Sequence, residues 1–236
     1  MKSHRISLIR KPYLKCRLTG LLCVSLLLHL GVTYGQVNLD YYNPGTGSNE
    51  ATALFKNVHS YHLQPGLDAL NKGNWKAARD NFEFILNYYP NSPQALNGMS
   101  ELCVIKWKSP LCDADSWFDR AIARNDSVAT TWVLYGIHLQ RKKLPREAVQ
   151  QFERAITLDP GSINAHYNLG LAYFDLKNYD KANQEAQKSY ALGAPLPGLR
   201  DKLVRAGAWK PSESTPAEPS ARATPLKNAP SARTAN

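Results

Sequence analysis

The stretch His166–Ala182, "HYNLGLAYFDLKNYDKA", pairs Gly170 with an alanine twelve residues downstream, Ala182. The same interval joins Gly136 to Ala148 and Gly66 to Ala78. Sixteen residues past each glycine stands Phe82, Phe152 or Ala186. Twenty-four past the first two stands Pro90 or Pro160, with Pro195 one place late in the last. Gly136 and Gly170 are 34 residues apart, whereas Gly66 and Gly136 are 70 apart. The spacing therefore predicts four copies of one unit, at about 59–92, 93–128, 129–162 and 163–196. The second copy has two extra residues and carries Ser100 where the others have glycine.

Such a glycine and alanine suit two antiparallel helices whose backbones approach closely at small side chains. The bulky residue that follows fills the space between neighbouring hairpins, and the proline stops the second helix. Each hairpin leaves an apolar face that only the next can cover, so about three or more are needed for stability. The expected fold is all-α, an α-solenoid over 48–209. A capping helix at 197–209 closes it, with Leu199, Leu203 and Ala206 on one face and Arg200, Asp201, Lys202 and Arg205 outward. At the front, Ser48 is placed to cap a helix over 49–60. Pro65 predicts a split or kink in the first helix of the first unit.

These residues resemble the tetratricopeptide repeat, whose pattern is Trp-x2-Leu-Gly-x2-Tyr, then Ala-x3-Phe, then Pro. "WVLYGIHL" (132–139), "AVQQF" (148–152) and "DP" (159–160) follow it, as does the opening stretch. The resemblance covers about 59–196 and departs at Ser100. It implies a protein-interaction scaffold of the exported bacterial type, without enzymatic activity, whose first helices line a concave groove. The residues it places there include Leu63, Leu67, Asn97, Val133, Ile137, Tyr167, Leu171 and Phe174. Some members of the family hold a peptide carboxylate through Lys and Asn. Asn97 and Asn168 stand near such places, but the lysines are missing. The groove reads as apolar with an aromatic end, suited to an extended apolar segment or an amphipathic helix of a protein partner. The alternative is a groove filled from within, by residues 37–58 or by the terminal helix.

Residues 1–17 carry Lys2, Arg5, Arg10, Lys11, Lys15 and Arg17 with no acid, ahead of the apolar run "LTGLLCVSLLLHLGV". This is the composition of a secretory signal, with Thr33 and Gly35 as the small residues before a cut after 35. The expected location is the bacterial periplasm. The alternative, a retained segment, would anchor the chain in the inner membrane, and only then is a membrane partner expected. Six of the ten surplus positive charges lie in 1–17, leaving +4 for the rest, so the basicity gives no reason to expect nucleic acid. Arg141, Lys142, Lys143 and Arg146 read as a solvated turn between helices. Residues 36–47 are turn-rich and expected to be irregular. The Pro/Ala/Ser-rich segment 210–236 lacks the apolar surface to offset chain entropy and is expected to be disordered.

Two of the four cysteines, Cys16 and Cys23, fall in the expected signal, leaving Cys103 and Cys112. In an antiparallel hairpin the register puts these two opposite each other near the turn. In an oxidising compartment they are expected to close as a structural disulfide. A redox role lacks the Cys-x-x-Cys spacing, and zinc lacks two further ligands. His59 and His62, three apart, could face one metal, but no third ligand is evident. His166 stands where the repeat usually has Trp and is expected to pack; His138 is isolated. No phosphate loop or nucleophile elbow is present. The sequence therefore predicts no catalytic residues, no metal and no cofactor.

Overall fold

In three of the four hairpins the second helix begins at a local start signal. Asn74 accepts a hydrogen bond from the Ala77 N–H and Asn178 from the Lys181 N–H, while Pro145 occupies a first turn where its missing N–H costs nothing. Residues 39–43 and 49–211 are described by the computed structural model. The expected signal, Ser48 and nearly all of the 210–236 tail lie outside them. The helices are α1 (Asn49–Asn71), α2 (Trp75–Tyr88), α3 (Pro93–Ser100), α4 (Asp115–Arg124) and α5 (Ala129–Arg141), then α6 (Pro145–Leu158), α7 (Ile163–Asp175), α8 (Tyr179–Ala191) and α9 (Gly198–Arg205). A π-helical stretch, Glu101–Trp107, continues α3. The fold is an all-α stack of four hairpins followed by α9.

Phenylalanine against glycine holds the stack together. Phe82 is fully buried between two hairpins. A Cβ on Gly66, in its own hairpin, would come 2.8 Å from the ring, and one on Gly98, in the next, 2.5 Å. Gly136 meets Phe152 in the same way. The fourth unit has Ala186 in place of phenylalanine, and the vacancy is filled from the next element. Leu199 of α9 places a methyl 2.5 Å from where a Gly170 Cβ would be, and is itself fully buried. The capping helix thus supplies the side chain that the last repeat lacks.

Two expectations change. Pro65 neither splits nor ends α1, which runs unbroken for 23 residues. Both Pro65 and Tyr61, whose carbonyl loses its helical donor, are exposed, so water takes the free carbonyl. In the second hairpin, close approach to Phe82 is made by Gly98, and Ser100 is fully buried with a separate polar role. The insertion there is partly absorbed by the π-helical stretch, which takes more residues per turn than an α-helix. Cys103 lies within that stretch and is bonded to Cys112, with Cα atoms 5.1 Å apart.

Residues 39–43 do not cover the groove. They lie against the turns that follow α2 and α4. The Asp40 carboxylate accepts from Asn91 and Asn125 side chains, each at 2.7 Å, and from the Tyr42 N–H at 2.9 Å. Burial would raise the Asp40 pKa, but these hydrogen bonds outweigh it and hold the carboxyl below its usual value. His166 is buried, though not by packing alone. Its Nε2–H donates to the Pro160 carbonyl at 3.0 Å, and Nδ1 lies 2.6 Å from Glu185 Oε2.

A Gly136→Ala substitution should lower unfolding free energy by about 1–3 kcal/mol through overpacking against Phe152. Gly161→Ala, whose nearest neighbour would lie at 3.5 Å, should change it little. Urea denaturation of the two variants decides whether the contact is as tight as the geometry requires. Cys103→Ser should cost somewhat under about 3 kcal/mol, the chain-entropy value for so short a ring, under non-reducing conditions only. Equal denaturation midpoints for variant and parent without reductant would mean the bond contributes nothing.

Candidate functional site

The first helices of the hairpins, α1, α3, α5 and α7, line one side of the stack. At its centre, the end of α5 reaches back to α3. Arg141 donates from Nη2 to Asn97 Oδ1 at 2.9 Å and from Nη1 to Ser100 Oγ at 2.9 Å. Both acceptors are neutral, and burial lowers the guanidinium pKa, with Glu101 partly offsetting it. The sequence placed Arg141 in a solvated turn; the structure places it half-buried in the groove wall. Asn97 is thus brought into the site by a residue that sequence reasoning assigned elsewhere. The signal that could have found it is position, since Arg141 is the last residue of α5, one helical turn beyond Ile137.

The other expected groove residues divide into four groups. Leu63, Leu67, Ile137 and Leu171 are half-buried and remain on this side. Val133 is only 6% exposed and belongs to the core around Phe152 and Leu169, so it offers little to a ligand. Tyr167 and Phe174, expected to form an open aromatic end, are engaged by α9. The Tyr167 hydroxyl accepts from the Leu199 N–H at 3.2 Å, and Lys202 sits 5.4 Å over the Phe174 ring. The terminal helix occupies that end because the last repeat needs Leu199. Asn168 is turned back on its own helix, donating to the Asn164 carbonyl at 2.8 Å. What remains is a central apolar surface with Arg141 in its wall.

His138 is not isolated. It is 1% exposed and stands between Ser100 and Asp115, with Nδ1 3.0 Å from Ser100 Oγ and Nε2 3.2 Å from Asp115 Oδ1. Burial lowers its pKa, so the ring is neutral; Nε2–H donates to the carboxylate and the Ser100 hydroxyl donates to Nδ1. The residue types and order copy a Ser-His-Asp relay. The chemistry does not follow, because Ser100 is fully buried and its oxygen already accepts from Arg141. This chain of bonds fixes Arg141 instead: Asp115 orients His138, which orients Ser100, which holds the guanidinium.

His59 and His62 point apart. His59 faces the Phe55 carbonyl and Ser92 Oγ, whereas His62 faces Asn81 and stacks on Phe84 with centroids 3.8 Å apart. Among the described residues, no three His, Cys, Asp or Glu side chains converge as a metal site would need. No helix among them is long and apolar enough to cross a membrane.

Residues 140–182 match the family model described as TPR repeat. Among solved structures, the chain is similar to PilF of Pseudomonas aeruginosa, with 25% identity and a TM-score of 0.51, over 64% of this chain and 70% of that one. It is also similar to the TPR protein TTC0263 of Thermus thermophilus, at 20% identity and a TM-score of 0.48, over 64% and 84%. A third is MamA, at 19% identity and 0.47, over 63% and 80%. The 34-residue register, the glycine–phenylalanine contacts and the matched residues agree: residues 140–182 are tetratricopeptide repeat, and the hairpin stack has the tetratricopeptide-repeat fold.

Proposed function

We propose that this chain is a non-enzymatic adaptor of the bacterial cell envelope that holds a segment of a partner protein against the central groove. Tetratricopeptide-repeat proteins are in general protein-interaction scaffolds, and the observation that carries the more specific reading is Arg141. A guanidinium half-withdrawn from water, held by Asn97 and Ser100 with no carboxylate bonded to it among the described residues, is oriented at a cost in solvation. A partner carboxylate beside an apolar segment would offset that cost. Ile137, Leu171, Leu63 and Leu67 supply the apolar contact. The export reading rests on the basic start, the apolar run that follows it, and the single cysteine pair left beyond it, which is closed.

A photo-cross-linker at Ile137 in intact cells should capture one recurrent partner protein, and one at the exposed Gln150 of α6 should not. Arg141→Glu should lower the Ile137 yield at least tenfold, the scale of a charge-assisted hydrogen bond, without shifting the denaturation midpoint by a comparable amount. Adducts only within the chain itself would show a self-filled groove and overturn the reading. The intact mass of the native protein should begin at Gln36; a mass that includes residues 1–35 would show a retained anchor.

A further inference from the structure

The turns that join the two helices of each hairpin share an unusual residue choice. Each ends its first helix with a residue in the left-handed region: Gly73 at φ 76°, Lys108 at 52°, Lys143 at 64° and Lys177 at 60°. Glycine adopts this conformation without penalty, whereas a residue with a Cβ does so at a cost. Three successive turns therefore carry lysine where glycine would hold the backbone more easily. At the first turn, where glycine takes the strained place, Lys72 precedes it.

These turns lie at one end of the hairpins. Lys142, at the end of α5, pairs with Asp115 at the start of α4 at 2.7 Å. Arg79, early in α2, sits 5.4 Å over the Trp107 ring at the end of the π-helical stretch. The acids at this end are largely taken. Asp80, Asp115 and Asp180 pair with Lys76, Lys142 and Lys210, and Asp113 accepts from the Ser116 N–H. Glu147 follows Arg146, and Asp175 stands two residues before Lys177, in the sequence. Lys72, Lys108, Lys143 and Lys177 are exposed and have no ion-pair partner among the described residues.

The same end carries an apolar tip. The ring closed by Cys103 and Cys112 presents Leu111 at 77% exposure and Ile105 at 44%, with Lys106 and Lys108 between them in sequence. Exposed aliphatic side chains flanked by lysines suit the boundary between lipid head groups and acyl chains.

We propose that this end of the solenoid docks on an anionic phospholipid bilayer, with the turn lysines contacting head groups and Ile105 and Leu111 entering the interface. The unpaired cations recur once per hairpin, about 10 Å apart by the packing distance of helices. That spread matches an extended charged surface better than one carboxylate. The disulfide holds the tip as a fixed knuckle, so insertion would cost little additional ordering. This contact is independent of any anchoring by the N-terminal segment and leaves the groove free.

The test is co-sedimentation of the native protein with vesicles of 30% phosphatidylglycerol in phosphatidylcholine, against phosphatidylcholine alone. The anionic vesicles should bind it more tightly, and the difference should shrink as salt is raised. The triple variant Lys108→Gly, Lys143→Gly, Lys177→Gly should weaken binding to anionic vesicles upward of tenfold, each lysine being worth roughly fivefold near such a surface. Its thermal midpoint should stay the same or rise, since glycine relieves the left-handed backbone. A triple Lys→Gln variant keeps the side chains without charge and should lose binding equally. Leu111→Ser should weaken the binding that survives at high salt. Equal binding to both vesicle types, or unchanged binding by both triple variants, would overturn the proposal. A fall in thermal midpoint for both triple variants would overturn it as well, because the lysines would then serve the fold.

Discussion

The stack depends on bringing an aromatic ring to within contact of a helix backbone on both sides. Phe82 achieves this between Gly66 and Gly98, and Phe152 makes the corresponding contact on Gly136. A glycine in a helix interior costs about 1 kcal/mol in propensity. It is retained here because the alternative, a methyl group inside an aromatic ring's contact distance, would force the hairpins apart. The ring offsets that cost, since a fully buried phenylalanine is worth about 1.5–3 kcal/mol in transfer alone. The period in the sequence is the trace of this one contact repeated.

That is why the fold was legible and much of the site was not. Glycine, alanine and phenylalanine at fixed intervals record backbone approach and volume, which are local demands that recur in every unit. Arg141, His138 and Asp40 answer demands that arise only once neighbouring hairpins are in place. Each bonds to residues 23 to 85 positions away, with no spacing to announce it. A partial signal did exist for Asp40, because Asn91 and Asn125 are one repeat apart and face the same carboxylate. Tyr167 and Phe174 misled for a related reason. They occupy groove positions in the register, but the repeat after theirs is replaced by α9, which uses them as its seat.

The irregularities of the second hairpin have one origin. Two residues beyond the repeat length must go somewhere in a unit whose neighbours fix both its flanks. Part of the excess widens the end of the first helix into a π-helical stretch, and the rest extends the turn toward Cys112. A longer turn is entropically costly to hold, though the penalty grows only slowly with length. The cross-link restricts the same segment in the unfolded chain, so it offsets that cost where it arises. Without it, Leu111 would sit on a loop free to fold back over nearby apolar surface.

Burial of charge shows where the structure accepts instability. Leaving an arginine and a neutral histidine inside a helical repeat is unfavourable compared with apolar side chains of the same volume. Most of the core elsewhere consists of such side chains, and the volume could have been filled the same way. Instead, Asp115, His138 and Ser100 form a line that ends on Arg141 and fixes one orientation of its guanidinium. A line of hydrogen bonds with each donor and acceptor assigned has a single low-energy arrangement, whereas an exposed arginine has many. The polar residues in this core therefore add direction more than stability: they aim one cation at one place on the groove wall.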